Sequence, residues 1–155
     1  MFKLDGKTAL VTGASGGIGE ATARHLHAQG AHVVLHGTRL EKLSALADQL
    51  GERSSFVAAD LSDINAVENI IPNASEVAGR SIDILVNNAG FAKDGLLMRM
   101  KNQDWQSVLD VNLTGSFLGC QAAARYMKER KGGSIINIAS LYGVVSPNHK
   151  MYPGT

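Results

Sequence analysis

An intramolecular disulfide is excluded at the outset, because the 155-residue chain has a single cysteine, Cys120. That usage suits a reducing compartment, and a cytoplasmic location is the expectation. Charge of one sign is also missing. Lys plus Arg number 15 against 14 for Asp plus Glu, a formal net charge of +1, which leaves no electrostatic footprint for nucleic acid or an anionic membrane. No apolar run approaches the ~20 residues of a membrane span. Met1-Phe2-Lys3-Leu4-Asp5 leads straight into structure, so no signal peptide is expected. Proline is scarce, at 3, whereas glycine is abundant, at 17, so where the glycines fall carries information. Internal repeats, low-complexity segments and interdomain linkers are absent. With 45% hydrophobic residues spread along the chain, disorder is excluded. The length suits one domain that buries about two-thirds of its unfolded surface.

Short apolar runs alternate with amphipathic ones. Thr8-Ala9-Leu10-Val11 reads as a strand that ends in a glycine-rich turn. A helix from Ile18 to Gln29 closes at Gly30. His32-Val33-Val34-Leu35 is a second strand, followed by a helix over Leu40 to Leu50 with Leu40, Leu43, Ala47 and Leu50 on one face. Ser55 to Ala59 is a third strand. Asp63 to Ala78 is a third helix that Pro72 should kink or split. Ile82 to Val86 is a fourth strand, ending in Asn87-Asn88-Ala89-Gly90. A loop over 91–101 leads to a long helix from Asn102 to Lys128, then to a fifth strand, Ser134 to Ser140. The alternation predicts an α/β fold: a doubly wound, Rossmann-type parallel sheet of five strands in the order 3-2-1-4-5, with a ligand crevice where the order reverses. Near-continuous apolar strands agree, being buried on both faces. The expected division is a dinucleotide-binding domain over 1–140 and a loop tail over 141–155.

Thr12-Gly13-Ala14-Ser15-Gly16-Gly17-Ile18-Gly19 joins the first strand to the first helix. Glycines permit a tight turn and a close backbone approach. The helix behind them offers unpaired N–H groups and a positive dipole end. Together they predict a pyrophosphate site involving Gly13, Ser15, Gly17, Ile18 and Gly19. The spacing is T-G-x-x-x-G-x-G. With Asn87-Asn88-Ala89-Gly90 after the fourth strand, Asn112 in Val111-Asn112-Leu113 and Ser140 closing the fifth strand, it resembles the short-chain dehydrogenase/reductase family. Asp60-Leu61 resembles that family's pair beside the adenine, and Asn88, Ala89 and Gly90 match its N-A-G cofactor contacts. Residues 2–114, with Lys93 to Met100 and Asp104-Trp105, are most similar to β-ketoacyl-[acyl-carrier-protein] reductases.

The resemblance implies a nicotinamide cofactor. NAD enzymes carry an acid at the end of the second strand to bind the ribose 2′-OH. Here His36-Gly37-Thr38-Arg39 has none. Gly37 stands where the family's NAD users carry Asp, Thr38 offers a hydroxyl, and Arg39 can pair with a 2′-phosphate through its planar fork. NADP(H) is the expectation.

The resemblance also implies catalytic roles: Ser140 orients the substrate oxygen, and Asn112 anchors a proton relay. The family's proton donor is a tyrosine with a lysine four residues on, since a tyrosine of pKa about 10 needs a nearby cation at neutral pH. Tyr152 stands twelve residues after Ser140, but its +4 position falls beyond residue 155, and the bland reading is a loop residue. The expectation is therefore a fragment or truncated form of an NADPH-dependent reductase of carbonyls or 3-oxoacyl thioesters, with an incomplete catalytic set. The alternative is a catalytically dead nucleotide-binding or oligomerisation module. A homo-oligomer is expected, in part through the fifth strand's apolar edge.

Other residues point elsewhere or nowhere. His25 and His27 face different sides of a helix, and no Cys/His/acid cluster has ligand spacing, so no metal is expected. Cys120, near Gly119 and Ala122, reads as a buried structural thiol. Trp105 reads as an amphipathic helix anchor. Asn73-Ala74-Ser75 and Asn112-Leu113-Thr114 are chance glycosylation triplets. Lys128-Glu129-Arg130-Lys131 is either a charged helix end or a contact for an acidic carrier protein.

Overall fold

Every strand of the inner sheet alternates between two apolar faces, and that alternation builds the molecule. The computed structural model describes residues 3–93 and 95–145. Tyr152, Pro147, His149 and the rest of the tail over 146–155 lie outside them, as does Asp94. The strands are β1 (Thr8–Val11), β2 (His32–Gly37), β3 (Ser54–Ala58), β4 (Ile84–Asn87) and β5 (Ser134–Asn137), all parallel, in the order β3-β2-β1-β4-β5. The helices are α1 (Gly17–Ala28), α2 (Leu40–Leu50), α3 (Ile64–Glu68), α4 (Ile70–Ala78), α5 (Asn102–Leu109) and α6 (Ser116–Glu129).

Val11, Val33, Leu35 and Val86 point to one face and meet Ala23 of α1 and Leu43, Leu46 and Ala47 of α2. Leu10, Val34 and Leu85 point to the other and meet Val67, Ile70, Ile71 and Ala74 of α3 and α4, with Ala123 and Met127 of α6. Period-two side chains feed both layers. Each fully buried Leu, Ile or Val in these layers contributes roughly 1.5–3 kcal/mol. At the bottom of the sheet Asp83 fixes register. Its carboxylate accepts from the Thr8 amide at 2.9 Å and from the Arg130 guanidinium at 3.2 Å.

Several expectations are refined. The segment with Pro72 is split, but the break is at Asn69, and Pro72 sits in the first turn of α4, where no amide donor is needed. Leu40 is exposed, whereas Leu46 joins Leu43 and Ala47 in the core: α2 turns its first residue away from the sheet. The strand β5 ends at Asn137, so Ser140 lies beyond it, capping a 3₁₀ turn over Leu141–Gly143. The long helix is continuous in chain but not in geometry, because Asp110–Gly115 is a π turn between α5 and α6. The edge strands β3 and β5 are only partly covered, unlike the three inner ones. Trp105, expected as a helix anchor, is 56% exposed.

Candidate functional site: a crevice at the strand ends

The sheet order reverses between β1 and β4, and a crevice of about 930 Å³ opens there at the carboxyl ends of the strands. Its shape depends on how closely two turns approach. Thr12 sits between them: its hydroxyl donates to the Val86 carbonyl (3.3 Å) and accepts from the amides of Asn88 and Ala89 (2.9 Å each). The Asn88 side-chain amide donates back to the Thr12 carbonyl at 2.9 Å. Glycine is required at this seam. A Cβ on Gly13 would lie 2.8 Å from the Ala89 Cα, and one on Gly19 would collide with the Gly13 carbonyl oxygen. The seam aims the first turn of α1, which no side chain caps, at the crevice.

Eleven of the twelve residues expected at a nucleotide line this crevice: Gly13, Ser15, Gly17, Ile18, Thr38, Arg39, Asp60, Leu61, Asn88, Ala89 and Gly90. The twelfth, Gly19, lies behind it and supports the turn. Arg39 reaches across from the start of α2, its Nη2 donating to both the carbonyl and the hydroxyl of Ser15 at 3.0 Å. Asp60 is turned along the rim, where its carboxylate accepts from the amide and hydroxyl of Ser62.

Asn112 stands in the π turn beside the crevice. Its carboxamide closes on Phe91, accepting from the amide (3.0 Å) and donating to the carbonyl (2.9 Å). A π turn leaves the ordinary helical ladder, and such turns are frequent at functional sites. On its other side Gly115 presses against the Leu61 carbonyl, 2.9 Å from where a Cβ would stand, so the turn abuts the rim that Asp60 and Leu61 form. Ser140 does not line the crevice. Its hydroxyl accepts from the Tyr142 amide at 3.2 Å and keeps its proton available for another acceptor.

The short chain dehydrogenase model matches residues 7–155. The chain belongs to the short-chain dehydrogenase family. Similar family members include a nodulation protein G of Rhizobium sp. (strain N33), 54% identical over 144 residues, and a 3-oxoacyl-[acyl-carrier-protein] reductase FabG of Rickettsia bellii (strain RML369-C), 42% identical over 144. Each alignment covers 93% of this chain but 58% of the relative, so the chain spans about three-fifths of the length of the curated relatives it matches. A solved structure from Sinorhizobium meliloti 1021, assigned to the short-chain alcohol dehydrogenases, superimposes with a TM-score of 0.87 at 39% identity, over 94% of this chain and 59% of that one.

Within this short-chain dehydrogenase crevice, Ala59, Ser62, Phe91 and Ser107 are lining residues that no motif named, and His36, Gly37 and Val111, quoted within motifs but not as binding residues, line it too. Gly37, Ala59 and Phe91 each adjoin a motif residue, a signal that was present. Val111 adjoins Asn112, whereas Ser107 comes from the long helix with nothing local to announce its approach. His36 is the least expected. It is 1% exposed, and burial lowers its pKa to about 4, opposed by a hydrogen bond with the Ala59 backbone and by the Asp60 charge.

Cys120 is half-buried rather than fully buried, because it belongs to a polar cluster at the tops of β4 and β5. The Asn87 side-chain amide donates to the Asn137 carboxamide oxygen (2.9 Å) and to the Cys120 sulfur (3.2 Å). Of the basic cluster, Arg130 is engaged internally, with the Ile82 carbonyl at 2.9 Å and with Asp83. Among the described residues no group of His, Cys, Asp and Glu is arranged to hold a metal ion, and no helix is long and apolar enough to cross a membrane.

Proposed function

We propose that the chain supplies the nucleotide-binding part of an NADPH-dependent reductase of carbonyl compounds, with 3-oxoacyl thioesters as the substrate class. One observation carries the choice of cofactor: the crevice has no acid at the end of β2, and Arg39 lies over the glycine turn at that point. The residues present fit a phosphorylated dinucleotide. A seam that admits no Cβ at Gly13 or Gly19 brings backbone amides to the crevice floor, and Gly37 leaves the ribose position uncrowded, since even a Cβ there would come within 3.2 Å of the Ser15 hydroxyl. Bound there, the cofactor supplies a hydride.

This chain's residues do the placing. The first turn of α1 would hold the pyrophosphate, Arg39 and Thr38 the 2′-phosphate, and Asp60 with Leu61 the adenine. Asn88 to Gly90 would form the floor on the nicotinamide side. The Ser140 proton would go to the substrate carbonyl oxygen, and Asn112 would order the relay beside it. Tyr152, twelve residues from Ser140, lies outside the described residues. The thioester reading rests on the relatives named as 3-oxoacyl-[acyl-carrier-protein] reductases. Lys128 and Lys131 would meet an acidic carrier, Arg130 being held by Asp83. We also propose a homo-oligomer, because Leu113 and Phe117 on the long helix and Ile136 and Ile138 at the β5 edge are exposed.

Titration of the chain with NADP+ and with NAD+, followed by calorimetry, tests the cofactor assignment. NADP+ is expected to bind at least tenfold tighter, and Arg39→Ala to abolish that margin. Equal affinity, or a preference for NAD+, overturns it.

A further inference from the structure

Side chains strap the crevice in two places, and the nucleotide reading uses only one of them. At the end of β2, Arg39 reaches over to Ser15. Beyond the β4 turn, the Lys93 ammonium meets the Asp104 carboxylate at 2.7 Å. Asp104 belongs to the first turn of α5. Both side chains are about two-fifths exposed, at 42% and 38%, so the pair adds little to the stability of the whole fold. What it joins is local. Lys93 stands 6.0 Å over the centre of the Phe91 ring, and Phe91 lines the crevice. The Asp104 carbonyl accepts from the Ser107 hydroxyl at 2.8 Å, and Ser107 lines the wall that α5 contributes. The chain between the two partners has little packing of its own, since Leu96, Leu97 and Met98 are 62%, 87% and 87% exposed. Two contacts hold Phe91 in place: Asn112 grips its main chain, and the ion pair spans its side chain from outside.

We infer that Lys93 and Asp104 are positioning residues for the nicotinamide end of the bound dinucleotide, their ion pair holding Phe91 against that end of the crevice without touching the ligand. Phe91 adjoins Gly90, the last residue of the floor assigned to the nicotinamide side, so the pair acts on that half and not on the half near Arg39 and Asp60. The hydrogen bond from Lys93 holds the Asp104 carboxyl below the usual carboxylate range, with Lys101 adding to the attraction, and the strap is fully charged at neutral pH. All of this rests on the crevice being an NADP(H) site.

NADPH is titrated into the chain to saturation while its dihydronicotinamide emission is followed, and 2′,5′-ADP, which lacks the nicotinamide end, is titrated in parallel. Asp104→Asn and Lys93→Ala should bind NADPH about threefold more weakly, the size of effect an exposed pair can impose, and should lose about half of the emission change at saturation. Their affinity for 2′,5′-ADP and their urea midpoints should match the parent. Asp104→Glu and Lys93→Arg should keep the parent's emission, and the exchanged pair, Lys93→Asp with Asp104→Lys, should recover it. Salt at about 1 M should bring the saturated emission of the parent down to that of Asp104→Asn and leave the variant unmoved, a response that a packing role would not give. If Asp104→Asn and Lys93→Ala keep the parent's saturated emission, or if 2′,5′-ADP weakens as much as NADPH does, the inference fails and the nucleotide reading stands. It fails in the same way if NADPH binds the parent with no change in emission. If neither NADPH nor 2′,5′-ADP binds the parent, both fail together.

Discussion

The two sides of the crevice are built to different standards of closure. On the β1–β2 side the inner strands are covered on both faces, the turns are joined by the Thr12 hydroxyl, and the glycines at the seam have no room for a Cβ. On the β5 side, large apolar residues face outward: Leu97 at 87% exposure, with Leu113, Phe117, Ile136 and Leu141. The first region finds its partners within the chain. The second is apolar surface that a further segment or another copy would cover. A substitution should therefore act through packing on one side and through association on the other.

The largest effect should come from Gly19. Gly19→Val forces branched carbons against the Gly13 carbonyl and the Asn88 amide. Stability should fall by about 3 kcal/mol, read by urea denaturation, and nucleotide binding should be lost with it. An unchanged denaturation midpoint would show that the seam is not tightly packed and would remove the contrast.

Acid should act on the same side. The buried His36 is held below its ordinary pKa, chiefly by burial, at about 4. Its folded form resists a proton that the unfolded form accepts near 6.5. The stability it confers is complete above pH 6.5 and is lost as pH falls from 6.5 towards 4, by about 3 kcal/mol in all. His32 is also lowered, through its own burial first and then the nearby Arg80, so the measurement is the difference between parent and His36→Gln across that window. Parallel pH profiles for the two proteins would place the acid sensitivity elsewhere.

Thr12→Val comes next. It keeps the shape but removes the acceptor for the Asn88 and Ala89 amides. Stability should fall by about 2 kcal/mol. Hydrogen exchange at those two amides should accelerate more than at the inner amides of β2. Uniform acceleration would mean that the two turns are not joined locally.

The same contrast governs what could be read in advance. The order of β1 to β5 follows from apolar runs separated by helical periods, and T-G-x-x-x-G-x-G marks the first crossover because its glycines answer a local steric need. Eleven of the twelve expected nucleotide residues meet in one crevice because each lies in a segment that follows a strand or, for Gly17 and Ile18, in the first turn of the helix behind it. What escaped depends on packing between distant segments. The face of α2 is rotated by its contact with β3, so Leu46 replaces Leu40 in the core. The π turn at Asp110–Gly115 has no periodic signature, since five-residue spacing occurs only once. Ser107 reaches the crevice only because the long helix crosses it. His36 stands just past a second strand expected to end at Leu35, whereas β2 runs on to Gly37.

The smallest effect is the most informative about the open side. Leu113→Ser replaces a side chain that is 63% exposed. Within an isolated chain it removes little buried surface, so urea unfolding at low concentration should shift by less than about 0.5 kcal/mol. Association should respond far more. If the face that carries Leu113 and Phe117 packs against another copy, the variant should dissociate at a higher protein concentration than the parent in sedimentation or size-exclusion measurements. The Gly19 variant, where it remains folded, should keep the parent's association behaviour, because its lesion lies at the seam. A Leu113→Ser variant with unchanged association would show that this face is not the one copies share. A loss of 2 kcal/mol or more at low concentration would show that Leu113 is held by its own chain, which would erase the difference between the two sides.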